Sequence, residues 1–186
     1  WLTGAGVHIN ASPMIELALG IAQFRQAGDL PALRRAIRSA LRRAPFTIEV
    51  ILFSGCGYAW MGEPEPAIEC FRQCGQTIHF SPFGVAANAG LSFSMLQASQ
   101  DEEAILEARR GLELTTEFST LHRVIASAAA HLGRMDEAQA ALRENERINP
   151  GDSIQAGWKR NAFAETPGTQ RYYEGLRLAG MPEGES

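Results

Sequence analysis

Cys70 and Cys74 lie four residues apart on one predicted helix face, with His79 five residues further on, a set of soft donors that could begin a transition-metal site. Structural zinc sites pair two such knuckles, and here only Cys56 remains. Three thiols, an odd number without other marks of export, read as reduced and buried cysteines. Gly4-Ala-Gly6-Val-His8 lacks the third glycine and the preceding strand of a dinucleotide fingerprint. The chain holds no phosphate loop, nucleophile elbow or His-Glu-x-x-His helix. Neither catalysis nor a cofactor nor a metal is expected.

The basic residues lead to a similar conclusion. Arg34, Arg35, Arg38, Arg42 and Arg43 form the densest cluster, and residues 34, 38 and 42 share a helix face. Such a stripe can touch phosphate. With no interleaved aromatics and a net charge of -4, it reads as a solvated convex face, and no nucleic-acid partner is expected. His122 falls at a packing position and His131 on an inner surface.

The elements that would position these side chains follow from composition and period. The 186 residues are 45% hydrophobic and 20% charged, enough for one domain with a substantial core. The longest nearly apolar run, 50–61, is far shorter than the ~20 residues of a spanning helix, so no membrane is expected. Of seventeen basic residues only Lys159 is lysine, a bias of GC-rich bacterial genomes. The chain begins at Trp1 with no signal-peptide pattern, as a piece of a longer cytoplasmic protein would.

A small or apolar residue opening a helix recurs at Leu33, Ala67, Ala104 and Ala138, in steps of 34, 37 and 34 residues. A turn residue precedes each by five positions: Gly28, Gly62, Ser99 and Gly133. Phe24, Tyr58, Met95 and Ala129 lie nine before, and Ile37, Phe71, Ala108 and Leu142 four after. Pro45 and Pro150 end the first and last units; an insertion within 75–80 accounts for the longer step. Prolines and acidic residues at 31, 64, 66, 101–103 and 136–137 fit first turns of helices, and no segment alternates as a strand does. An ordinary helical bundle offers no reason for such a period.

The pattern resembles the tetratricopeptide repeat, best in the second unit through Ile51, Ser54-Gly55, Tyr58, Gly62, Ala67 and Phe71. Leu17, Gly20, Phe24, Gly28 and Pro45 carry the first unit; Ile125, Ala126, Gly133, Ala138, Leu142 and Pro150 carry the fourth. The third is degenerate, with Asn88 where a bulky residue is expected and Ala108 and Gly111 in its second helix. The resemblance implies an all-α, right-handed solenoid of antiparallel helix pairs: a lead-in over 1–13, four repeats over 14–46, 47–83, 84–117 and 118–150, and capping helices within 151–186. The latter are expected from Gly151-Asp152-Ser153 to about Ala164 and over 170–179, with Tyr172, Tyr173, Leu176 and Ala179 on the apolar side. The terminal wording Arg171-Tyr-Tyr-Glu-Gly-Leu-Arg-Leu-Ala-Gly-Met-Pro-Glu183 is also similar to a bacterial group in which a class III adenylate/guanylate cyclase domain, or a winged-helix domain, precedes such repeats.

In that family the first helix of each repeat lines a concave groove. The implied binding residues are Arg25, Glu49, Leu52, Cys56, Trp60, Phe93, Leu96, Arg123, Ser127 and His131, in a mainly small and apolar surface. Arg25, Trp60, Phe93 and Arg123 are its large anchors. The paired Lys and Asn positions with which co-chaperone members clamp a peptide carboxylate are absent. The expected function is non-catalytic binding of a protein or peptide by the C-terminal regulatory or scaffold part of a bacterial signalling protein, with homo-oligomerisation allowed. The alternatives are a domain sensing a small molecule between its helices and the tail of a cyclase whose active site lies elsewhere.

Overall fold

The computed structural model describes residues 12–75, 82–161 and 163–184, and among them the chain forms α-helices and no strand. His79, the glycines at 4 and 6, most of the 1–13 lead-in and the 76–80 part of the insertion lie outside the described residues. The helices run in pairs: α1 (Pro13–Ala27) with α2 (Leu30–Arg43), α3 (Ile48–Met61) with α4 (Pro64–Gly75), α5 (Pro82–Gln97) with α6 (Asp101–Leu114), and α7 (Ser119–His131) with α8 (Met135–Ile148). Two further helices follow, α9 (Ile154–Asn161) and α10 (Pro167–Ala179). Each pair packs on the next in chain order, so each hairpin buries its apolar face against its neighbour.

The period reappears in the backbone. Gly28, Gly62, Ser99 and Gly133 all adopt positive φ, 60–75°, and reverse the chain between the helices of a pair. Five residues on, Leu33, Ala67, Ala104 and Ala138 are all completely buried, the points where paired helices approach most closely. Ser99 is the only non-glycine with positive φ among the described residues. Its Cβ opposes the left-handed turn, so Ser99→Gly should raise unfolding stability by about 0.5–1 kcal/mol despite the added freedom of the unfolded chain. Urea unfolding monitored by circular dichroism measures this directly.

Close approach explains the degenerate third repeat. A Cβ on Gly111 would meet the Leu121 side chain at 2.8 Å and Asn88 Cβ at 3.2 Å. The small residue in α6 thus leaves room for Leu121 of the next repeat, which is fully buried. Phe71 of α4 slots between two glycines, with its ring 3.1 Å from a Cβ on Gly55 and 2.2 Å from one on Gly90. The first repeat forms a core of its own, in which Leu17, Phe24, Leu33, Ile37 and Ala40 meet Val50 and Met61 of α3. The arginine stripe of α2 faces outward: Arg35, Arg38, Arg42 and Arg43 are exposed, Arg34 pairs with Glu63, and Arg43 reaches Glu16 at 2.9 Å.

The C-terminal helices differ from expectation in extent and direction. Helix α9 ends at Asn161, short of the expected Ala164. Thr166-Pro167-Gly168 opens α10: Thr166 is the N-cap, its hydroxyl accepts from Thr169 N–H, and Thr169 Oγ1 accepts from Thr166 N–H. Proline in such a first turn loses no intrahelical hydrogen bond. Beyond closing the end of the stack, α10 turns back and packs on α7 and α5. The expected apolar side, Tyr172, Tyr173, Leu176 and Ala179, is buried there.

Candidate functional site

The first helices α3, α5 and α7 form the inner face, and residues 152–161 and 163–184 lie along it like a strap. Starting from the α8–α9 loop, Asp152 has a fully buried side chain that accepts from Arg123 Nη1 at 3.2 Å, Asn145 Nδ2 at 3.2 Å and Arg160 Nη2 at 3.0 Å. Burial alone would raise its carboxyl pKa, but the two guanidinium groups and the Asn145 amide outweigh burial and hold it below the ordinary carboxylate range. Arg160 then offers its carbonyl to Arg25 of α1.

Past α9 the strap is fixed largely through main-chain groups. Ala164 N–H donates to Trp60 O at 2.9 Å. Thr166 fills the space a side chain at Gly62 would take, and Gly168 lies against Gln97, whose amide bonds to Ala59 O at 3.1 Å. Arg171 reaches Leu96 O at 3.1 Å and grips Asp101 with two bonds of 2.8 and 2.7 Å. Ser127 Oγ donates to Tyr172 O at 2.9 Å, and His131 Nε2 to Arg171 O at 2.9 Å. At the chain's return, Pro182 and Glu183 carbonyls accept from Ile154 and Gln155 N–H, satisfying donors at the start of α9.

Aromatic packing completes the seat. Phe93 of α5 stacks on Phe163 with centroids 4.9 Å apart and meets Tyr172 edge-on at 5.1 Å. Trp158 stacks on Tyr173 at 4.2 Å. Gly175 permits closure of α10 on α7, since a Cβ there would lie 2.2 Å from Ser127 Oγ and 2.6 Å from Ser127 O. Burying Leu176 alone is worth about 1.5–3 kcal/mol, and the two tyrosines add comparable amounts.

The residues expected to line the groove therefore divide by what they touch. Trp60, Phe93, Leu96, Arg123, Ser127 and His131 hold the strap, Arg25 touches its α9 portion, and Cys56 lines a cavity beside it. Leu52 is buried in the core and Glu49 is exposed. At the first repeat Ile15, Ala18, Ala22 and Arg25 are exposed among the described residues. The residues that sequence reasoning missed are Asp152, Phe163, Arg171 and Gly175. A glycine in mid-helix at 175 carried a usable signal, because it costs about 1 kcal/mol relative to alanine unless something packs against it.

The potential chemistry of the face is structural. His122 Nε2 donates to Thr116 O at 3.1 Å, as His131 does to Arg171 O. All three cysteines are free thiols, and burial pushes Cys56 up to about 12 and Cys70 and Cys74 up to about 11. No cluster of three potential metal ligands occurs among the described residues, and no described helix is long and apolar enough to cross a membrane.

Stacked antiparallel hairpins with left-handed turns at the repeat period define a tetratricopeptide-type α-solenoid. The chain is similar to the MamA protein, with 21% identity, 91% of this chain and 94% of that one covered, and a TM-score of 0.63. It is also similar to a thermophilic tetratricopeptide protein of Thermus thermophilus (16% identity, 89% and 91% covered, TM-score 0.64). A third likeness is to PilW, a type IV pilus biogenesis factor (16%, 88% and 73%, TM-score 0.65). At these identities the likeness is one of fold. No family model and no curated protein matches the chain.

Proposed function

We propose that the chain is a non-catalytic protein-interaction module whose concave face binds a peptide or protein segment, with its own C-terminal strap as resident occupant. The observation that carries this reading is the way the strap is held: main-chain groups of Ala164, Arg171 and Tyr172 bond to Trp60, His131 and Ser127, while Phe163 and Tyr172 pack on Phe93. Main-chain recognition with aromatic anchoring is how a groove takes a peptide. A partner would either extend the occupied surface at the exposed first repeat or displace the strap. Displacement costs on the order of 5 kcal/mol by the burial above, so only about one molecule in five thousand would be open unaided, and a competing segment's apparent affinity falls by that factor.

The free thiols support work in a reducing cytoplasm. The terminal sequence Arg171 to Glu183 supports a place as the C-terminal regulatory or scaffold part of a bacterial signalling protein, with a cyclase-type domain as one form of the parent. The test is a labelled peptide of residues 163–184 titrated against the full chain carrying Gly175→Leu, which crowds the strap's own seat. The expected result is saturable micromolar binding to the variant and at least a hundredfold weaker binding to the unaltered chain. Absence of binding to a folded variant, with α1 to α8 intact by circular dichroism and hydrogen exchange, would remove the groove reading.

A further inference from the structure

Beside the strap lies a half-open cavity of about 250 Å³, walled by α3, α4, α5 and α7 and bordered by Asn161, Phe163 and Tyr172 of the strap. Its volume corresponds to roughly eight water molecules, below the size of a drug-like ligand pocket and suited to a single ring with one substituent. Trp60, Phe71, Phe93 and Phe118 supply aromatic walls, and Ala86, Ala89 and Gly90 leave the space open.

The charge of the lining is one-sided. Arg123 is the only lysine, arginine, aspartate, glutamate or histidine among the lining residues. Cys56 stays a neutral thiol, and burial raises Tyr172 so that it too stays neutral. Arg123 is 3% exposed, and its Nε–H is buried without an acceptor. A buried donor in that state is left unsatisfied at a cost that an acceptor would remove. Its carboxylate partner is also shared: Asp152 serves both Arg123 and Arg160, two positive charges against one negative. Thr120, a neighbouring lining residue, accepts from Arg123 Nη2 and keeps its own hydroxyl proton to donate.

From this geometry we infer that the cavity is a binding site for a small aromatic monocarboxylate, its ring between the aromatic walls and its carboxylate toward Arg123 and Thr120. The site shares Trp60, Phe93 and Arg123 with the face that holds the strap, and Asn161, Phe163 and Tyr172 of the strap line it as well, so an occupied cavity favours the seated strap. A cation would face the Arg123 guanidinium with no carboxylate among the lining residues, and a dianion would bring a second charge into an apolar space with no partner.

Benzoate, benzyl alcohol and benzylamine, titrated into the full chain by calorimetry with tryptophan fluorescence as a second readout, test the inference. Benzoate is expected to bind with a Kd of about 1 mM or tighter, at least tenfold better than benzyl alcohol, with benzylamine not binding and only benzoate raising Tm. Ala86→Phe, which fills the cavity and keeps every charge, should abolish benzoate binding; Arg123→Gln should remove the preference over benzyl alcohol. Equal affinity for all three, no binding of benzoate by the folded chain, or undiminished binding by folded Ala86→Phe would each overturn it. No peptide enters the experiment, so its failure leaves the groove reading standing, and failure of the peptide titration leaves the cavity standing.

Discussion

Asp152→Ala is expected to lower unfolding stability by about 3–5 kcal/mol, the largest effect of any single substitution outside the tightly packed hairpins. The substitution leaves the Arg123 guanidinium buried with no carboxylate, and a buried charge stripped of its partner is far costlier than the intact pair is stabilising. Asn145 Nδ2 loses its acceptor too, whereas the half-exposed Arg160 regains water. Replacing the pair together, Arg123→Met with Asp152→Leu, should recover most of the loss, since an apolar pair of similar volume satisfies the same space. The carboxyl pKa adds a pH signature. Because it is depressed in the folded chain, its stabilisation is complete above the unfolded value of about 3.9 and disappears as pH falls through the lower folded value. Asp152→Asn should lack that acid step. Urea unfolding between pH 7 and pH 3 for the four proteins measures both effects.

Gly175→Leu is expected to expel α10 from its seat while the repeats stay folded. A Cβ already collides with Ser127 Oγ and Ser127 O, both on α7, and a branched side chain cannot be accommodated without lifting the helix. The strap then loses the Ser127 and His131 bonds and the burial of Tyr172, Tyr173 and Leu176 together. Limited proteolysis between α9 and α10 should speed up by roughly a thousandfold, following the open population when cleavage is slower than reclosing. Cleavage within the hairpins should not change. Uniform acceleration across the chain would mean that α10 is part of one cooperative unit with the repeats.

The repeat architecture was legible because the signal is local and recurs. A turn residue at 28, 62, 99 and 133, with a buried small or apolar residue five positions later, fixes each hairpin without knowledge of the others, and even serine at 99 takes the left-handed turn. Trp60, Phe93, Leu96, Arg123, Ser127 and His131 lie on helices set by the period, and each touches the strap. The return of the strap was not legible. Tyr172, Tyr173 and Leu176 announce an apolar helix side, but that side suits the end of the stack as well as its inner face. What decides between them is long-range: Arg171 with Asp101, Ala164 with Trp60, and Gly175 against Ser127. The start of α10 was obscured for a related reason, since its capping box depends on a threonine at 169 rather than the usual Glu or Gln.

Amide hydrogen exchange of the unaltered chain, read helix by helix, tests the seated strap most directly. If the C-terminal segment occupies the concave face as described, amides of α10 exchange about as slowly as those of α5 and α7, requiring an opening of several kcal/mol. Exchange of α10 at the rate of a free peptide, with α3, α5 and α7 still protected, would contradict the account.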